Sequence, residues 1–141
     1  MSICLDAEQN SAETRRIGYY EAWSVNRKCM PYEPEQIAAD VLTHINFAFA
    51  LISPSFQVIE MTKGDSDLWL RTTALKKGRP GLKVFLSIGG WTFNDPPTQN
   101  IFSNMVGSAA NTNTFIKSIL SVMETYAFDG IDVDWEVGLP S

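Results

Sequence analysis

Residues 128–136, FDGIDVDWE, constrain this chain more than any other stretch. From Ile131 onward its apolar residues Ile131, Val133 and Trp135 alternate with Asp132, Asp134 and Glu136. A period of two with unlike faces is the pattern of a β-strand. It sets Asp132, Asp134 and Glu136 on one side, each about 7 Å from the next. Ionised acids lose solvation when buried, and neighbouring like charges push protons back onto some of them. Such a row is therefore a route to a carboxylic acid that keeps its proton near neutral pH. Two other readings stand beside it. One is a strand whose acidic face is simply wet. The other is a metal site, because Asp-x-Asp-x-Glu offers hard oxygen ligands; no loop glycines or carbonyl donors follow to complete its shell.

The chain has 141 residues, 45% hydrophobic and 19% charged, enough for one domain with a core. Its net charge of −5 comes without any basic run, which argues against nucleic acid and suits an uncharged ligand. No apolar run reaches the roughly 18 residues of a membrane span. The opening MSICLDAEQNSAETRR has no basic region followed by an apolar stretch, so it is not a signal peptide. Cys4 and Cys29 are too few for a disulfide framework; a single bridge or two free thiols both fit.

Taken in order, residues 1–14 read as a polar, flexible arm and 15–141 as one domain. Residues 15–23, RRIGYYEAW, read as a first strand, with Gly18 marking the approach of another backbone. Tyr19 and Tyr20 face opposite sides, so only one can share a face with the acids. Pro34 opens a helix over 34–42. Residues 44–52, HINFAFALI, form an apolar strand suited to burial on both faces, with His44 as a structural hydrogen-bonding residue. FQVIEM at 56–61 forms a small hairpin or extended excursion. A helix capped by Asp65 or Ser66 runs to Lys77, with Trp69 in its apolar stripe. Residues 82–88, LKVFLSI, form a third strand that ends in Gly89, Gly90 and Trp91; paired glycines there allow a sharp turn or the approach of a ligand. One or two helical turns at 101–106 precede an amphipathic helix over 111–127, capped by Asn111 or Asn113.

The order strand–helix–strand–helix–strand–helix–strand implies neighbouring parallel strands with right-handed crossovers. An open doubly wound sheet normally carries phosphate-binding glycines after its first strand, and EAWSVN has none. A (β/α)8 barrel places chemistry at the C-terminal ends of its strands, where Trp91 and Glu136 both fall. The expected fold is α/β: a partial TIM (β/α)8 barrel, its first four parallel strands joined by three helices. A full barrel needs about 250 residues, and half of one leaves two open strand edges. The chain is thus expected to be a fragment or a half that must pair, inactive and poorly soluble by itself.

Four segments carry a resemblance to a known family. FDGIDVDWE resembles the Asp-Gly-x-Asp-x-Asp-x-Glu signature of glycoside hydrolase family 18, the chitinases and chitinase-like lectins. LKVFLSIGGW resembles that family's third-strand segment, and RIGYYEAW and THINFAFA its first two strands. The loop NRKCMPYEPEQI resembles the large fungal chitinases of killer-toxin-like architecture. The resemblance implies that Glu136 is the general acid, that Asp134 orients the substrate's acetamido group, and that Asp132 shares a proton with Asp134. The nucleophile would be the substrate's own N-acetyl carbonyl. It also implies that Tyr19 lies at the floor of the site, that Ser87 supports the acids, and that Gly89, Gly90 and Trp91 line a sugar cleft. Chitin or N-acetylglucosamine oligosaccharides would be the ligands, no cofactor or metal is required, and the family's usual location is extracellular. The pattern is broken after Glu136, where the family has tyrosine and proline and this chain has Val137 and Gly138. Strands five to eight, with their sugar-embracing aromatics, are also missing. A chitin-binding protein without catalysis is the rival reading; a metal-dependent sugar-nucleotide transferase using Asp132 and Asp134 is a third.

Overall fold

Residues 14–136 are described by a computed structural model. Four strands run parallel in the order β1 (Ile17–Glu21), β2 (His44–Ile52), β4 (Lys83–Gly89) and β5 (Gly130–Asp134). The short β3 (Val58–Glu60) returns antiparallel on the end of β2, as a hairpin in that region would. Three helices, α1 (Asp65–Ala74), α2 (Ile101–Val106) and α3 (Ala109–Tyr126), complete the regular structure. This is the expected partial α/β barrel. Among the described residues no strand pairs with the outer edge of β1 or of β5. No helix among them is long and apolar enough to cross a membrane.

Register divides the sheet into two faces. Tyr19, Asn46, Phe85 and Gly130 lie side by side, and Glu21, Ala48, Ser87 and Asp132 form the next row. Side chains alternate along each strand, so the opposite face carries Tyr20, Ile45, Phe47, Val84, Leu86 and Ile88, all buried. That packed face meets Leu68 and Trp69 of α1, Phe102 and Met105 of α2, and Phe115 and Ile119 of α3. Trp69 is core, as its stripe predicts; its ring meets Tyr126 edge-on at 5.0 Å. His44 is structural, bonded to the Thr43 hydroxyl at 2.9 Å and set edge-on to Phe85.

Several sequence expectations are corrected. The helix expected over 34–42 is only a 3-10 turn, Pro34–Gln36. Arg71 of α1 ties that turn to the helix by binding Glu33 at 2.8 Å and Glu35 at 2.6 Å. Two of the three crossovers, not all three, are therefore made with α-helices. The first strand stops at Glu21, because Ala22 and Ser24 are buried in a 3-10 turn and the Ser24 hydroxyl donates to the Tyr32 carbonyl. Gly18 faces the side chain of Leu42, where a Cβ would stand 3.0 Å away, and no backbone. The cap of α3 is Ser108, whose hydroxyl accepts from the Asn111 amide. Neither Asp65 nor Ser66 caps α1. Glu60 of β3 does so from outside the helix, accepting from the Ser66 amide at 2.6 Å and the Gly64 amide at 3.2 Å, where a carboxylate complements the helix dipole. Cys29 is exposed, and its pairing with Cys4 lies outside the described residues, as does the 1–13 part of the expected arm.

The chain enters β5 through a charged strap. Asp129 accepts the Val84 amide and Lys76 Nζ, both at 2.9 Å, and lies 3.4 Å from Lys83 Nζ. Partial burial pushes its carboxyl up, but the Val84 amide and the two lysines outweigh this and hold it below the ordinary range. A depressed carboxyl stabilises the fold above its unfolded pKa of about 3.9, and the contribution is lost as pH falls through the lower folded value. Asp129→Asn should thus cost about 1.5–3 kcal/mol near neutral pH. Urea melts should show the gap between the two proteins closing on acidification below about pH 4. A gap that stays constant down to acid pH would mean that the strap is not held by charge.

Candidate active site

Beyond Asp129 the strand begins with Gly130, where any Cβ would stand 2.9 Å from the Phe85 ring. Glycine lets that ring lie across β5 on the site face. Ile131 packs on the core, Val133 is half-exposed, and Trp135 stacks on Phe102 at 5.4 Å. The period-two reading therefore holds to the end of the strand, with Asp132 and Asp134 on the face away from the helices, and Glu136 lies two residues beyond its end.

Asp132 is the anchor. Its Oδ2 accepts from the Tyr19 hydroxyl at 2.7 Å, the Ser87 hydroxyl at 2.9 Å and Asn46 Nδ2 at 3.0 Å. One residue from each of β1, β2 and β4 thus converges on one oxygen of β5. The bond to Asp132 raises the Tyr19 hydroxyl above its usual range, helped by burial and by the negative charge of Asp132 and Asp134. Tyr20, on the opposite face, is buried. Ser87 and Tyr19 were expected here. Asn46 was missed, although one amide in the otherwise apolar run HINFAFA is itself a signal, since a buried amide needs a partner.

Asp134 is held by its backbone. Its carbonyl accepts from the Gly90 amide at 3.1 Å and from Asn94 Nδ2 at 3.2 Å. Two residues on, Glu136 has its carboxyl pushed above the ordinary range. Partial desolvation is the first cause, followed by the charge of Asp134 and a hydrogen bond with it. The side-chain hydrogen bonds on Asp132 come from Tyr19, Asn46 and Ser87.

Gly89 and Gly90 are buried, with φ of +114° and +89°. A Cβ on Gly89 would stand 2.4 Å from the Asp134 carbonyl, and one on Gly90 would stand 2.9 Å from the Phe49 ring. Both glycines here let β4 close against β5 and β2. Of the segment's three residues, Trp91 is the open one, 70% exposed at the same end of the sheet as Glu136. No group of three His, Cys, Asp or Glu side chains among the described residues is arranged to hold a metal ion. A cation at Asp132 would also have to displace the donors already on its Oδ2. What remains is an anchored carboxylate at Asp132, a second acid at Asp134, a third at Glu136 whose carboxyl is raised, and an exposed indole at the same end of the sheet. That set can deliver a proton to a bound molecule and stabilise positive charge next to it.

Comparison with known proteins supplies the context. The family model described as glycosyl hydrolases family 18 matches residues 15–141. Mouse Chitotriosidase-1 is 36% identical over 129 residues, which is 91% of this chain and 27% of that protein. The crystal structure of an immunomodulatory chitinase from Trichuris suis superposes with a TM-score of 0.78 at 34% identity, covering 86% of this chain and 33% of that one. Human YKL-39, described as a pseudo-chitinase with retained chitooligosaccharide binding, superposes with a TM-score of 0.73 at 32% identity, covering 84% and 32%. The chain thus spans about a third of the length of these relatives.

Proposed function

This chain belongs to glycosyl hydrolases family 18, and on that premise we propose that its acidic strand is the proton-delivering side of a chitin-hydrolysing site. One observation carries the reading. Glu136, its carboxyl raised by desolvation and by the charge of Asp134, follows directly on the strand whose Asp132 is held by side chains from β1, β2 and β4. Glu136 protonates the glycosidic oxygen of a β-1,4-linked N-acetylglucosamine chain. Asp134 orients the acetamido group of the sugar being cleaved. The acetamido carbonyl attacks the anomeric carbon, so no second catalytic carboxylate is needed; family 18 is a known exception of this kind to the two-carboxylate pattern. Trp91 offers its exposed face to the apolar face of a sugar ring.

The rival is a protein that binds chitin oligosaccharides without cleaving them, as the likeness to YKL-39 allows. Glu136 favours the hydrolase, since the acid is present and raised. The loop at 26–37 is the only support for the fungal killer-toxin-like subgroup, and the assignment made here is to the family as a whole.

The test is the stereochemistry of the first product from an N-acetylglucosamine hexamer, followed by proton NMR. Substrate assistance retains configuration, so the β-anomer appears first and mutarotates later. The α-anomer appearing first would overturn the mechanism, and tight binding without cleavage would establish the binding reading in its place.

A further inference from the structure

Resting on the sugar-site reading above, we propose that Glu21, steadied by Arg27, is a second sugar-binding carboxylate. It accepts hydroxyl groups of a sugar unit adjoining the one held at Asp132, Asp134 and Glu136. Along β1 the side chains of Tyr19 and Glu21 are exposed while Tyr20 between them is buried, so Glu21 faces the same way as Tyr19. Register places Glu21 beside Ala48, Ala48 beside Ser87, and Ser87 beside Asp132, in one row across the sheet. Glu21 therefore stands two residues, about 7 Å, beyond the Tyr19 that touches Asp132, toward the strand ends where Trp91 and Glu136 lie.

Its carboxylate is half-engaged. Oε2 accepts from Arg27 NH2 at 3.0 Å, and among the described residues no hydrogen bond reaches Oε1. The two side chains are 47% and 52% exposed. An ion pair so open to water contributes little to stability. It does fix the direction of the carboxylate and offsets its charge. A carboxylate with one oxygen held and the other open is an acceptor for sugar hydroxyls, and the remaining guanidinium N–H groups can donate to a sugar oxygen. Because the pair is close to neutral together, it suits an uncharged polyhydroxyl ligand better than a cation.

Calorimetric titration of the intact chain with N-acetylglucosamine oligomers of two to six units tests this. Wild-type affinity should climb with length. Glu21→Ala should lose about tenfold for those oligomers long enough to reach the pair, and nothing for shorter ones. Glu21→Gln, which keeps an acceptor oxygen, should lose less, and Arg27→Ala should fall between. Thermal melts check that each variant folds; should Glu21→Ala fail to fold, Glu21→Gln and Arg27→Ala carry the same comparison. No loss at any length, or an equal loss at every length, overturns the role of Glu21 while leaving the sugar site standing. A wild-type chain that binds none of the oligomers overturns the sugar-site reading itself.

Discussion

In a full-length version of the barrel, Glu136→Gln should lower the turnover of N-acetylglucosamine oligosaccharides by about 10²–10⁴-fold, the usual worth of a positioned general acid, with their binding kept within a few-fold. Glutamine preserves the size of the side chain and can still hydrogen-bond Asp134, but it has no acidic proton to give. The alkaline limb of the kcat/KM profile should vanish with it. In the parent, Glu136 binds its proton more tightly than a free glutamate because of partial desolvation and the neighbouring Asp134. The protonated, active form thus persists to higher pH than an ordinary carboxyl would allow, and activity declines as pH rises through the raised value. The measurements are steady-state rates across pH and oligosaccharide affinity for both proteins. A variant that turns over near the parental rate would remove Glu136 as the acid. A variant whose lost turnover matches an equal loss of binding would show that Glu136 grips the substrate and does not protonate it.

The row of acids was legible in the sequence because period two belongs to the strand itself: once 130–134 is extended, Asp132 and Asp134 must share a side. The division of labour between Tyr19 and Tyr20 follows from the same rule. Asn46 was hidden for a related reason. A strand buried on both faces shows no alternation, so the side on which Asn46 lies is fixed only by its register with Tyr19 and Phe85. The absent helix after Pro34 has its cause in α1, where Arg71 binds two glutamates nearly forty residues earlier in the chain. The cap on α1 likewise comes from β3, through Glu60. Local propensity carries no record of partners so far away. The glycines at 89 and 90 were read as allowing a sharp turn or the approach of a ligand; both have positive φ, and a Cβ on Gly89 would meet the backbone of β5.

That close approach makes Gly89→Ala the substitution with the largest expected effect on stability, about 3 kcal/mol or more, or a fall in Tm of ten degrees or more, on the scale of about 4 °C per kcal/mol. Two costs combine. Alanine at φ +114° meets the left-handed penalty. Its Cβ would also lie 2.4 Å from the Asp134 carbonyl oxygen and 3.0 Å from the Phe102 ring. A side chain could swing aside, but this oxygen is backbone and is already bonded to the Gly90 amide and to Asn94. Relief would require β5 to part from β4 at the point where Asp134 and Glu136 are positioned, so sugar binding should fall together with stability. Gly64→Ala separates the two costs. Gly64 has φ +100° and nothing within 4 Å of a built Cβ, so it should lose only the conformational part, about 1 kcal/mol. Thermal and urea melts of both variants measure the difference. Equal losses at the two positions would mean that β5 yields freely at Asp134, and a strand that yields there would not fix Asp134 and Glu136 as the proposed function requires.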